Sequence, residues 1–463
     1  MKNKIISFLT GPILASLIGF ITLPFITHLV TPNEFAKINL FLVTQQVIYI
    51  FIYIAMDHAY VREYNEIKNK SVLLGHVLVI PSVLSLLLGI VLYMCSEIFS
   101  EFLFGEVDSF LIICLGIILP LAVIERFAQL TVRMQERGAL FSFLMITSKF
   151  SILLIIFIFL LLDSMSFKNI ILSYLIAQLI SSLLSLFFIK SFVVKDMFKI
   201  NKSLLSRLIK YALPLFPATI IVWSMNYISL FILRGYSDFY ELGIFSGGVR
   251  IISVITIFQT AIMSLWVPIA YRWNSENRSV KLFDGISYII MLLSIILIIL
   301  MFLFKGLIIY ILSPDYIDVI YIISMLMLVP FFSLISEILG IGINFARKTY
   351  WNTIISIICL IFLLIFSFYL IPSYGAKGAA IANAIAYLIY FIARFVISSK
   401  LWINYRASKY YLLVTIVVFL SILNSIYVYS TLILIINLVV LFIVITVLII
   451  FCKNNRFLFK NLQ

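Results

Sequence analysis

The chain has 463 residues, 64% of them hydrophobic and 11% charged, where a soluble globular protein has roughly 45–50% and about 25%. This balance identifies an integral membrane protein, with room for roughly 14 crossings at about 20 apolar residues each plus short loops, and leaves little chain for a soluble domain. The net charge of +14, which in a soluble chain would point to nucleic acid, takes its meaning from where the cations fall.

Lys2 and Lys4 precede an apolar run over 5–30 that continues without a small-residue cleavage site, so it reads as a first span rather than a signal peptide. Punctuation by polar residues, glycine and proline then places spans at 38–61, 72–95, 109–134, 139–162, 169–189 and 208–233. Seven more follow at 239–271, 283–304, 317–345, 350–370, 379–397, 411–428 and 432–451. With the N-terminus inside, the inner segments collect Lys2, Lys4, Arg62, Lys68, Lys70, Arg126, Arg133 and Arg137, then Lys190, Lys195, Lys199, Lys202, Arg207 and Lys210. They continue with Arg272, Arg278, Lys281, Arg347, Lys348, Arg394, Lys400, Arg406, Lys409, Lys453, Arg456 and Lys460. The outer side holds Lys37, Lys168, Arg234, Lys305 and Lys377, and its longest loop, 96–108, carries Glu97, Glu101, Glu106 and Asp108 without a cation. A missed span would scramble this bias, so the positive-inside rule supports both the count and cytoplasmic termini. Trp273, Trp351 and Trp402 fall where an inner aromatic belt is expected. Cys95, Cys114, Cys359 and Cys452 form no CxxC pair and read as buried thiols, with no metal site, disulfide framework or cofactor expected.

The chain also repeats itself. Pro120 and Pro330, and Arg137 and Arg347, are offset by 210 residues, and Lys168 and Lys377 by 209. Pro12 pairs more loosely with Pro214, and the turn Thr31-Pro32-Asn33-Glu34-Phe35 with Ser237-Asp238-Phe239-Tyr240-Glu241. The expected organisation is a six-helix N-terminal lobe over 1–200, a six-helix C-terminal lobe over 201–406 and a helix pair over 407–452, with a basic tail at 453–463. Parallel six-helix lobes imply a cleft and alternating access.

The opening Gly11-Pro12-Ile13-Leu14-Ala15-Ser16-Leu17-Ile18-Gly19-Phe20, with Leu23-Pro24-Phe25-Ile26-Thr27 and Thr31-Pro32-Asn33-Glu34-Phe35, resembles the start of bacterial polysaccharide flippases. These are the O-antigen and capsule exporters. Met56-Asp57-His58-Ala59-Tyr60-Val61-Arg62 and Tyr374-Gly375-Ala376-Lys377-Gly378-Ala379-Ala380-Ile381-Ala382 agree with the same family. The resemblance implies a multidrug-exporter-like (MATE-like) fold in the bacterial inner membrane. It also implies translocation of an undecaprenyl-diphosphate-linked oligosaccharide from the inner to the outer leaflet, with a polysaccharide polymerase and chain-length proteins as partners. Where the wider superfamily carries arginines in the first helix, this chain has His28.

Ionisable residues within spans are expensive and mark function by default. Glu125 and Lys149 lie at similar depth on helices four and five, and Glu337 and Arg394 on helices ten and twelve, so each couple is expected to pair. Arg250 has no acid at its depth and is expected to meet water or an anion, with Gly243, Gly247 and Gly248 before it permitting close helix approach. Arg126 points about 100° from Glu125 and is expected to extend a basic cavity lining. Substrate binding is therefore assigned to Arg250, Lys149, Arg126 and Arg234, and ion or proton coupling to Asp57, His58, Glu125 and Glu337. Gln45, Gln46, Asn226 and Gln259 are candidates for sugar hydroxyls or for bonds between helices. No Walker A loop, HExxH or GxSxG sequence is present. A cation-coupled drug exporter of the same fold would favour acids in its cavity. A polysaccharide polymerase or ligase would need a larger outer loop bearing acids or arginines.

Overall fold

Polar N-caps and proline or glycine punctuation divide the apolar sequence into helices, and in the computed structural model no strand occurs among the described residues, 2–164, 166–192, 197, 201–402 and 407–455. The expected inner cations Lys195, Lys199, Arg406, Arg456 and Lys460 lie outside them. The first unit, Met1–Tyr227, contains α1 (Lys2–Leu29), α2 (Pro32–Tyr53), α3 (Met56–Glu63), α4 (Lys70–Met94), α5 (Ser96–Phe104), α6 (Ser109–Met134), α7 (Gly138–Leu161), α8 (Phe167–Ile189) and the first part of α9 (Lys202–Tyr236). The second, Ile228–Gln463, continues with α10 (Phe239–Ser275), α11 (Val280–Leu303), α12 (Ile308–Leu312), α13 (Val319–Leu326), α14 (Leu328–Leu339), α15 (Ile341–Phe345), α16 (Tyr350–Leu401), α17 (Ala407–Ile426) and α18 (Thr431–Asn454). Among the described residues 13 helices are long and apolar enough to cross a membrane. One of them, α16, is 52 residues long and contains the eleventh and twelfth expected spans on either side of Gly375, so the 13 helices accommodate the fourteen expected spans.

Helix starts follow from side chains that satisfy otherwise orphaned N–H groups. Thr31 and Glu34 form a capping box at α2, and Asn69, Asp108, Ser166, Asp238 and Ser279 cap α4, α6, α8, α10 and α11. Several helices end alike: the Arg137, Ser164, Arg278 and Lys348 N–H groups donate to Val132, Phe159, Trp273 and Ile343 O, each after a left-handed residue (Glu136, Asp163, Asn277 and Arg347).

In the first unit α6 is the central element, packed by α2, α4, α7 and α8, while α1 lies on α7. In the second, Val319–Phe345 (α13 to α15) is the central element and, among the described residues, the most buried candidate span. The terminal pair is tied to the second unit at one end by Lys409, whose ammonium is 2.6 Å from the Asp284 carboxylate, and by Tyr410, which donates to Asp284 Oδ1. Loop 96–108 is partly helical as α5, and its acids find cations on neighbouring elements: Glu106 with Lys37 at 2.9 Å and Asp108 with Lys168 at 2.7 Å.

Two expectations need correction. Trp273 is not in an interfacial belt: it is 1% exposed and packs with Trp266 and Phe283 in an aromatic core that Phe345 and Trp402 also border. The ring is large enough to supply core volume, and that outweighs its amphipathic preference for the interface. Of the four cysteines, Cys114 and Cys359 are buried but Cys95 and Cys452 are only partly so.

The Tyr374-Gly375-Ala376 motif has a specific geometry. Gly375 adopts φ 51°, ψ −129° inside α16, a combination that side chains with a Cβ rarely enter. The kink frees the Ala376 N–H, which donates to Glu241 Oε2 at 2.8 Å. A Cβ on Gly375 would stand 2.7 Å from that same oxygen. Gly375→Ala is therefore expected to lower stability by about 2–4 kcal/mol, through backbone strain and displacement of the charged acceptor. Gly19→Ala, with open space around its Cβ, should be neutral or slightly stabilising. Thermal unfolding of the two purified variants in detergent checks the contrast.

Candidate functional site

The second expected span does not run unbroken to residue 61. Ile54 (φ 43°, ψ 41°) and Ala55 (φ 57°, ψ 18°) both take left-handed conformations and separate α2 from α3, although neither is glycine and Ile is β-branched. The break moves Asp57 and His58 off helix two and into the first turn of α3. There the Asp57 carboxylate meets the positive end of a helix dipole and accepts from the His58 N–H at 3.0 Å. Tyr60 donates to Thr131 Oγ1 at 2.8 Å, and Thr131 in turn donates to Phe127 O, which anchors α3 on α6.

Asp57 and Arg126 form an ion pair at 2.6 Å, with Asp57 nearly buried and the Arg126 side chain 47% exposed. Arg126 is thus not an isolated base in a cavity lining, nor is Asp57 a solitary acid. Tyr53 extends the group by donating to Ala122 O at 3.3 Å and stacking on Tyr49, whose hydroxyl accepts from Gln45.

Glu125 turns the other way, but not toward Lys149. Its carboxylate accepts from Gln129 at 2.8 Å, from Ser181 at 2.5 Å and from Gln178. The hydrogen bonds therefore come from α6 and α8 rather than α7, because the Glu125 face of α6 is packed against α8. Lys149 is exposed on α7. Depth matching located the acid correctly but not the side of the helix it faces.

His58 lines a cavity of about 460 Å³ with Leu215, Ala218, Thr219, Val222, Trp223, Asn226 and Tyr227 of α9. Proline-containing α9 presents Trp223 and Tyr227 one turn apart, with ring centroids 5.5 Å apart, and Asn226 donates to Val222 O. An aromatic pair, an amide and an imidazole thus share one concave wall. Sequence reasoning marked His58 and Asn226 but missed Trp223 and Tyr227. Their i, i+4 spacing with Thr219 on one face of α9 was the available signal. At the end of α3, Arg207 bridges Glu63 (2.7 Å) and Glu66, and Arg62 pairs with Glu66 at 2.6 Å. The hydrogen bond and charge of Arg62 hold the Glu66 carboxyl below its usual range.

The remaining candidates lie in the second unit or on the α9 segment that enters it. Glu337 and Arg394 pair as expected: both guanidinium nitrogens reach the carboxylate, one at 3.3 Å, and Tyr390 accepts from Arg394 at 2.7 Å. Gln259 donates to Ser333 at 3.0 Å, a bond between helices. Arg250 is exposed on α10. Gly248 before it meets Leu326 and Ile322 so closely that a Cβ there would stand 2.7 Å from Leu326 Cδ1, and it thus permits the close approach of α10 to α13. Arg234 lies over the Phe239 ring, 4.6 Å from its centroid. Among the described residues no group of three or more His, Cys, Asp or Glu side chains forms a metal cluster.

Because Arg394 is 3% exposed, removing only its partner would strand a buried cation. Glu337→Leu is expected to cost about 3–5 kcal/mol and Arg394→Met less, since the Glu337 side chain it leaves unpaired is 38% exposed, and the double variant to recover most of the Glu337→Leu loss. Unfolding midpoints and a double-mutant cycle measure this, and a coupling near zero would reject a structural role.

A family model described as polysaccharide biosynthesis protein matches residues 1–273, a stretch that includes the whole cavity lining. No curated protein matches the chain. Among solved structures, the lipid II flippase MurJ in an inward closed conformation is similar at TM-score 0.66 and 15% identity, covering 98% of this chain and 99% of that one. An inward-facing multidrug resistance MATE transporter of the MOP superfamily is similar at TM-score 0.61 and 14% identity, over 84% of this chain and 93% of the other. A Vibrio cholerae MATE transporter gives TM-score 0.60 at 16% identity, over 86% and 95%. These likenesses establish the MurJ/MATE-like fold of a multi-pass membrane protein. The match over residues 1–273 shows that the chain belongs to the polysaccharide biosynthesis protein family.

Proposed function

We propose that the protein is a flippase. It carries undecaprenyl-diphosphate-linked oligosaccharide units, of O-antigen or capsule type, from the inner to the outer leaflet of the cytoplasmic membrane by alternating access, with both termini cytoplasmic. The cavity of about 460 Å³, within the family-matching residues, is the observation that carries this reading. Its volume lies in the range of about 300–1,000 Å³ typical of small-molecule sites. Its lining suits a sugar: Trp223 and Tyr227 offer faces to ring C–H groups, while Asn226, Thr219 and His58 offer hydrogen-bonding groups. In this reading Arg250 and Arg234 in the second unit, and Lys149 in the first, are each candidates for an anionic diphosphate or acidic sugar, and Arg126 contributes the donors it does not use on Asp57.

Two observations argue against a cation-coupled drug exporter. Asp57 and Glu337 are engaged by arginines, and Glu125 by neutral donors, so these acids are not arranged as isolated cation ligands. The positive-inside distribution of lysines and arginines supports the proposed orientation.

Purified protein in vesicles containing labelled undecaprenyl-diphosphate oligosaccharide should move it between leaflets. Trp223→Ala and Arg250→Ala should each slow this at least about tenfold at equal protein level, a loss of roughly 1.4 kcal/mol or more of transition-state stabilisation. Wild-type rates in both variants would reject the assignment of these residues, and no movement by the wild type would reject the function.

The membrane potential is expected to assist directly. A diphosphate of about −2 crossing about 150 mV, negative inside, gains up to roughly 7 kcal/mol outward. An imposed potential of that sign should accelerate flipping in the same vesicles. Indifference to potential combined with a need for a pH gradient would instead favour proton exchange.

A further inference from the structure

Lys305 occupies the short 3-10 turn Lys305–Leu307 that follows α11 and is 8% exposed. Its ammonium donates to Asn424 O at 3.0 Å and to Asn424 Oδ1 at 3.4 Å, and among the described residues no carboxylate forms an ion pair with it. Burial pushes this amine down to about 8, which reflects the penalty for a charge with no counter-charge nearby. Asn424 and Asn437 fix one another through reciprocal amide hydrogen bonds, each of 3.0 Å, between α17 and α18. The acceptor that holds the lysine is therefore itself held rigidly.

Lys305 lines a cavity of about 240 Å³ whose polar groups come from Asn424, Asn437, Ser430 and Thr431 and whose remaining wall is mainly apolar, with Phe302 and Ile320 among it. Ser430 stands at the N-cap of α18 with extended backbone but makes no capping bond with its side chain, so the positive end of that helix dipole meets the same wall. An ammonium, hydroxyls and a helix N-terminus together form the donor set that meets phosphate oxygens. The volume is below the range of sites that enclose drug-sized ligands and leaves room for a phosphate or a small headgroup. Lys305 also lies two residues past the end of a candidate membrane span, Val280–Leu303.

We propose that this cavity binds a phosphate group, presented by a membrane phospholipid or by a soluble phosphate. The site is separate from the α9 cavity and does not depend on the flippase reading. The bound anion would neutralise Lys305 and join the turn after α11 to the terminal helix pair.

Isothermal titration of the full chain in detergent, with dihexanoyl phosphatidic acid and separately with inorganic phosphate, tests the proposal. Lys305→Met removes the charge, and Thr431→Glu adds a repelling carboxylate at an exposed position that the fold should tolerate. Both are expected to weaken binding at least about tenfold, the scale of one charge-assisted hydrogen bond. Saturable phosphatidic acid binding without phosphate binding, sensitive to both variants, supports the site with a lipid as its source. Phosphate binding with the same sensitivity supports it with a soluble anion. Affinity unchanged in either variant, or no binding of either probe to the wild type, overturns it.

Discussion

Hydrocarbon offers no partner to a charge or to an unpaired peptide group, and the polar interior of this protein is arranged around that deficit. Each unit answers it with an acid on its central helix directed at a neighbouring helix. In the second unit the acid is Glu337 on α14 and its partner is Arg394 on α16, held by two guanidinium nitrogens and a bond to Tyr390. In the first, Glu125 on α6 faces α8, where Gln178 and Ser181 supply neutral donors. The partner thus differs between the units: Glu337 forms a net-neutral pair with Arg394, whereas the Glu125 carboxylate is held by several neutral donors.

Interruptions of helices obey the same constraint. At Gly375 the freed Ala376 N–H is taken up by Glu241, a residue in the first turn of α10, so the kink also ties two helices together. At Ile54 and Ala55 the chain turns without glycine, and left-handed conformations cost about 1–2 kcal/mol per residue there. The Ile54 N–H still donates to Ile50 O, and Ala55 O accepts from the His58 and Ala59 N–H groups. Contacts made by α3 offset the strain, since Asp57 reaches Arg126 and Tyr60 reaches Thr131. A break maintained against its local preference beside a buried ion pair is where stored strain is commonly found at functional sites.

Spans, caps and the Glu337–Arg394 pair were legible because they rest on hydropathy, polar punctuation and depth along a helix, all read at fixed rise from the sequence. The partners of Glu125 were not. Depth gives a residue's height, whereas the neighbour it meets depends on helix rotation and packing, and α6 turns Glu125 to α8 and Arg126 to α3. Helix two read as continuous because Ile54 and Ala55 are ordinary helix residues and nothing local announces a left-handed pair. Trp273 illustrates the opposite failure, since an interfacial residue type was drawn into the core by the shape of its aromatic neighbours. Trp223 and Tyr227 were overlooked among 25 tyrosines and 5 tryptophans, because aromatic residues are so common here that their pairing becomes visible only beside a cavity.

These pairings also bear on how a membrane potential would act. A cation that travels with an anionic substrate cancels the electrical work on it, so transport gains from the field only if the charge that moves is mainly the substrate's. Asp57–Arg126 and Glu337–Arg394 are each neutral as pairs, and a neutral pair displaced across part of the field does almost no electrical work. Their neutrality satisfies two requirements at once: it lowers the penalty of placing charge in hydrocarbon, and it leaves these two pairs without a gating charge to oppose the outward force on a diphosphate. The field's net contribution is accordingly set by how far any cation follows the substrate, rather than by the number of charged residues within the spans.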